Sequence, residues 1–132
     1  MKILLAYDGD PSAQRALQTA AKMAQAFDGT VDVVSVVPIR AGRAPMDPWD
    51  DRDVHDFELQ DAVKRLAMLG LKCRTIETVG AVAPEIERVA KDGGYDLVVV
   101  GSRGLGTLDR LLQGSVSSHV ATHAGTTVVV AR

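Results

Sequence analysis

The sequence predicts an α/β fold: a single open, doubly wound five-stranded parallel sheet with helices on both faces, in strand order 3-2-1-4-5. Three observations carry that prediction. Short apolar runs alternate along the whole chain with segments of helical periodicity. Three of those runs, the first, second and fourth, are apolar almost throughout, as strands covered on both faces must be. The third alternates, with Lys72, Arg74 and Thr78 against Leu71, Cys73 and Val79, and so reads as a sheet edge. At 132 residues, 46% of them hydrophobic, the chain is one domain over 1–132 with enough apolar surface for a real core.

The elements follow in order. Ile3 to Tyr7 is the first strand. Asp8-Gly9-Asp10-Pro11-Ser12 turns the chain into a helix, with Asp10 as N-cap and Pro11 at the first helical position, where its missing N–H costs nothing. Ala16, Leu17, Ala20, Ala21, Ala24 and Phe27 form one face of that helix, and Asp28-Gly29 stops it. Val31 to Val37 is the second strand, broken by Pro38, and the proline-containing stretch 38–51 reads as a loop. Phe57, Leu59, Ala62, Val63 and Leu66 mark a second helix ending at Gly70. Lys72 to Val79 is the third strand, and Ala83 to Lys91 a short helix closed by Gly93-Gly94. Leu97 to Val100 is the fourth strand. Leu108 to Leu112 reads as a helical turn, Ser115 to Thr122 as the last helix, and Thr127 to Val130 as the fifth strand.

That fifth strand is apolar, yet the strand order puts it at an edge, where a bare apolar strand invites pairing. A second copy of the chain would cover it, which predicts a homodimer through Thr127 to Val130; a longer neighbouring strand would shield it as well. Composition points away from other partners. The net charge is −2, with no basic run or stripe, and five aromatic side chains offer little for base stacking, so no nucleic acid is expected. The opening run Ile3–Tyr7 is too short for a signal peptide or a membrane span, so no membrane is expected and the cytoplasm is the default. Cys73 is the only cysteine, which rules out an intrachain disulfide and agrees with a reducing compartment.

In open parallel sheets, ligands bind beyond the carboxyl ends of the strands, where the strand order reverses. The candidate ends are Ala6-Tyr7-Asp8-Gly9, Val36-Val37-Pro38 and Val100-Gly101-Ser102-Arg103-Gly104-Leu105-Gly106. The last is glycine-rich, which suits close approach of main-chain N–H groups to phosphate oxygens. Neither the Gly-x4-Gly-Lys-Ser/Thr loop nor Gly-x-Gly-x-x-Gly after the first strand is present. What stands instead is Gly101-x2-Gly104-x9-Gly114-Ser115, and Ser115 opens the last helix, whose unpaired N–H groups and dipole favour a phosphate.

This arrangement resembles the ATP-binding branch of the universal stress protein family. The likeness covers the whole chain: Ile3 to Gly9, Gly80 to Glu85, and Asp96 to Arg132. It implies that Ala6, Tyr7 and Asp8 line an adenine pocket, that Val37 packs on the base, that Gly101, Arg103 and Gly104 wrap ribose and phosphates, and that Gly114, Ser115, Val116 and Ser117 hold the phosphate chain. The ligand it implies is ATP, with Mg²⁺ on the phosphate oxygens. Two places depart from the family pattern: Asp10 stands where serine is usual, and Ala81-Val82-Ala83-Pro84 replaces the usual Gly-Asp/Ser-Pro-Ala order.

Plainer readings sit beside these. Asp8 can end a strand, Gly101 and Gly104 can be turn residues, and Ser115 can be a cap as well as a ligand contact. His119 and His123 are spaced for one helix face but lack a third ligand. Asp47, Asp50, Asp51, Asp53 and Asp56 lack the order of a Ca²⁺ loop and read as a solvated loop, over which Trp49 serves as a lid or a partner contact. No water-positioning Gln, Glu or His is evident near the phosphate motif, so the expectation is nucleotide holding, with slow ATP hydrolysis or autophosphorylation at Ser115 or Ser117, or a different ligand such as AMP or cyclic AMP, as the alternatives.

Overall fold

A computed structural model describes the main chain of residues 1–9, 11–38, 48–102 and 126–131, with all side chains there except those of 38 and 48–54. Its elements are β1 (Lys2–Ala6), α1 (Pro11–Phe27), β2 (Thr30–Pro38), α2 (Pro48–Met68), β3 (Thr75–Gly80), α3 (Val82–Asp92), β4 (Leu97–Gly101) and β5 (Thr127–Ala131). The strands form one parallel sheet in the order β3-β2-β1-β4-β5, as the sequence predicts.

Strand β1 lies between β2 and β4, with Leu4 opposite both Asp32 and Val98. Ile3, Leu4 and Leu5 have no exposed surface, because the pleat sends alternate side chains to two covered faces. Ile3, Leu5, Val33 and Val99 pack toward α1 and α2. Leu4, Val34, Val98 and Val100 pack toward α3. The α1 stripe is nearly all alanine (Ala13, Ala16, Ala20, Ala24, with Leu17), which lets that helix lie close on the sheet. Asp28, in left-handed backbone at φ 51, ends it, as an Asp tolerates better than most side chains do.

Two boundaries differ most from the sequence reading; others move by a residue or two, and Pro38, read as breaking the second strand, is its last residue. The second helix begins at Pro48, nine residues before Phe57, so 48–51 is helix rather than loop. Its signals were present: proline at the first helical position and acids in the first turn. The missing apolar periodicity of 48–56 hid them. The third strand begins at Thr75 rather than Lys72. Asp32 Oδ1 takes the main-chain N–H of Arg74 at 3.1 Å, which turns that group away from strand pairing. The cap assigned to Asp10, the helical turn at 108–112 and the helix at 115–122 fall outside the described residues.

Both β3 and β5 are edges of the sheet. On β5, Val130 is 40% exposed while Ala131 is buried. No helix among the described residues is long and apolar enough to cross a membrane.

Candidate functional site

The order 3-2-1-4-5 reverses between β1 and β4, and the carboxyl ends of those strands open the crevice where such sheets take ligands. From β1 come Ala6, Tyr7, Asp8 and Gly9; from β4 come Gly101 and Ser102.

Tyr7 belongs mainly to the fold. It is 3% exposed, its N–H donates to the Val34 carbonyl at 3.0 Å, and its hydroxyl donates to Asp61 Oδ2 at 2.9 Å. Burial and the Asp61 carboxylate hold its phenol well above the ordinary tyrosine range. Asp61 is in turn held by Arg65 Nε at 2.8 Å, and that bond holds its carboxyl below the ordinary aspartate range. Any ligand contact by Tyr7 is therefore left to its main chain. Ala6 is half-buried on the α3 side, and Val37 is buried on β2 opposite Val79.

Two glycines shape the crevice. Gly9 takes φ +81, a conformation that L side chains rarely adopt, and its turn supports Glu58, whose Cγ would lie 3.2 Å from any added Cβ. Gly101 touches the start of α1 so closely that a Cβ would fall 2.7 Å from the Ser12 carbonyl carbon and oxygen. The glycine-rich strand end is thus built against a helix start by backbone contact. Arg103, Gly104, Gly114, Ser115, Val116 and Ser117 lie outside the described residues.

The structure adds three residues that the sequence reading did not single out. His55 and Glu58, on α2, face the sheet beside the β1 end. Ser35 Oγ and His55 Nδ1 are 2.6 Å apart, and His55 Nδ1 lies 3.4 Å from Glu58 Oε2. Burial first, and then the Asp8 carboxylate, push the Glu58 carboxyl up to about 7. A sequence signal for this existed. His55, Glu58, Leu59, Ala62 and Leu66 share one helical stripe, and polar groups at its beginning face the same sheet as the buried apolar ones behind them. Without α2 extended to Pro48, that stripe started too late to include them.

The Ser35–His55 pair has the composition of a nucleophilic dyad, but Ser35 is 1% exposed and ties α2 to β2 instead of meeting a substrate. Among the described residues, no cluster of three histidine, cysteine or acidic side chains is placed to hold a metal ion. The sheet end offers a glycine strand end packed on the start of α1 on the β4 side and carboxyl groups on the β1–α2 side. Such a site suits a ligand with an anionic end and a neutral, polar end.

Known proteins share this fold. The profile of the Universal stress protein family matches residues 1–132. Universal stress protein MJ0531 of Methanocaldococcus jannaschii is 30% identical over 138 residues, covering 99% of this chain and 81% of that protein. The solved structure of universal stress protein UspA from Lactobacillus plantarum superposes with a TM-score of 0.80 at 26% identity, over 100% of this chain and 97% of that one. The universal stress protein from Archaeoglobus fulgidus in complex with dAMP superposes with a TM-score of 0.76 at 24% identity, over 100% of this chain and 98% of that one.

Proposed function

The chain belongs to the universal stress protein family, and we propose that it is an adenine-nucleotide-binding module of that family, acting in stress response or signalling in the cytoplasm. The observation that carries this reading is the pairing of the β1 and β4 carboxyl ends at the point where strand order reverses, with glycine at each end. The dAMP held by the Archaeoglobus fulgidus relative supports the ligand class.

Within that class the proposed ligand is ATP with Mg²⁺. The described residues fit its neutral end: Asp8 stands beside the crevice to accept from base or ribose, and Val37 offers an apolar wall. The Asp8 carboxylate disfavours phosphates on the β1 side by like charge. The phosphate chain therefore belongs on the β4 side, along Gly101, Arg103, Gly104 and Gly114 to Ser117. Mg²⁺ would neutralise phosphate charge there. A nucleoside monophosphate such as AMP, or cyclic AMP, is the second reading, favoured by the monophosphate in the relative.

The proposed assembly is a homodimer through Thr127 to Val130. Its support is the edge position of β5 and the 40% exposure of Val130.

Calorimetry with ATP, AMP and cyclic AMP tests the reading; saturable heat is expected with at least one, and none with any would sink it. In Gly114→Val, a branched side chain would stand where phosphate must approach. ATP affinity is expected to fall at least about tenfold while the urea midpoint is unchanged. Single-turnover hydrolysis with Mg²⁺ at the buffer background is the expected result for a module that holds nucleotide without splitting it.

A further inference from the structure

Glu58 is a carboxyl group in a poor place for a charge. Its side chain is 19% exposed, it rests on the Gly9 turn, and its Oε2 is buried without a hydrogen-bond partner. The neighbouring His55 Nδ1, at 3.4 Å, has one hydrogen or one lone pair to offer, and Ser35 Oγ at 2.6 Å engages it. Among the described residues, the groups around Glu58 do not compensate. The β1 turn presents the Asp8 carboxylate, and α1 contributes the uncharged Gln14, whose Nε2 donates to the Gly9 carbonyl at 3.5 Å. Strand β2 contributes the Ser35 hydroxyl, and β3 carries a second acid, Glu77, in register with Ser35. The cationic Arg65 lies two turns further along α2, on Asp61.

We propose that Glu58 is part of the nucleotide site and enters it as the neutral acid, so that wherever the free protein has lost that proton, binding an adenine nucleotide draws one from solvent onto Glu58. The inference rests on the nucleotide reading above. Two effects of a bound nucleotide act in the same direction. It covers the surface that Glu58 still exposes, and its phosphates on the β4 side add negative charge to a site in which Glu58 already faces Asp8. Both raise the affinity of Glu58 for its proton.

The direction with pH follows from linkage. In the free protein Glu58 loses its proton at about 7. In the complex it does so higher. Below about 7 the group is neutral in both states, and affinity does not depend on it. Above that, the free protein has lost the proton that the complex keeps, so affinity falls as pH rises.

The test compares the full chain with Glu58→Gln, which keeps the shape and removes the titration. AMP binding is measured by calorimetry in two buffers of different ionisation heat, from about pH 6 to about pH 8.5. Ionisation of the AMP phosphate is common to both proteins and cancels in the difference. The wild-type chain is expected to take up more protons per AMP than the variant, and to lose about tenfold more affinity across that range. A carbon-detected titration of the Glu58 carboxyl is expected to move to higher pH when AMP is added. Binding with equal pH dependence in the two proteins, or proton release, would overturn the role of Glu58 and leave the nucleotide site standing. No AMP binding by the wild-type chain at any pH, alongside binding of ATP, is decided by repeating the comparison with ATP. No binding of any adenine nucleotide overturns both.

Discussion

Two buried acids on the same protein face opposite situations. Asp32, near the amino end of β2 and 5% exposed, receives the Tyr95 hydroxyl at 2.6 Å, the Arg74 main-chain N–H at 3.1 Å and the Arg74 guanidinium at 3.4 Å. Glu58, at the carboxyl end of the sheet, has a buried oxygen that no hydrogen bond among the described residues reaches, with His55 Nδ1 3.4 Å away. Asp32 pins the segments that lead into β3 and β4, because its three donors come from just ahead of those strands. Its bond, together with burial, leaves the Tyr95 hydroxyl pushed up to about 12. A fully bonded buried acid fixes a structure; an unsatisfied one costs stability and persists where a site makes use of it.

The comparison makes predictions of decreasing size. Asp32→Ala should cost about 2–4 kcal/mol, since it strands a buried tyrosine hydroxyl and a main-chain N–H at once. A urea midpoint that falls by less than the equivalent of 1 kcal/mol, taken as roughly the net value of one hydrogen bond, would remove the contrast with Glu58. Glu58→Gln should act in the opposite sense. The folded protein holds the Glu58 proton up to about 7, well above the ordinary glutamate value of 4.5. Ionised Glu58 therefore lowers stability, not at all below the unfolded value and fully once pH has risen through the folded one. At about pH 8 the variant should be more stable by roughly 1–3 kcal/mol, and at about pH 4.5 no more stable than wild type. Denaturation at both pH values checks the sign. Smallest is Tyr7→Phe. It removes one bond to an acid that Arg65 still holds, so the loss should be about 0.5–1.5 kcal/mol, read from the same denaturation curves.

Much of this molecule was legible in the chain. The apolar runs at 3–7, 31–37 and 97–100 placed the central strands, and the alternation after Leu71 placed an edge. The glycine at 101 marked a close approach, although its partner, the Ser12 carbonyl, could only be found in three dimensions. Tyr7 was expected at a ligand, yet its ring points into the core on the α1–α2 face. Its position at a strand end is a local fact, whereas the direction of its side chain depends on which helix covers that face. The early start of α2 was hidden because Trp49 to Asp56 carries few apolar residues, and periodicity reads only what is buried.

The sequence by itself determined the alternation of strands and helices, which strands are apolar throughout, and the glycine-rich turn that follows the fourth. These follow from periods of two and 3.6 residues and from glycine's freedom, all of which act between near neighbours. Only the tertiary structure decided that Glu58 stands on the Gly9 turn beside Asp8, some 50 residues earlier in the chain. Whether a carboxyl keeps its proton is set by the water it loses and the charges it meets through space, and neither is written in the residues next to it.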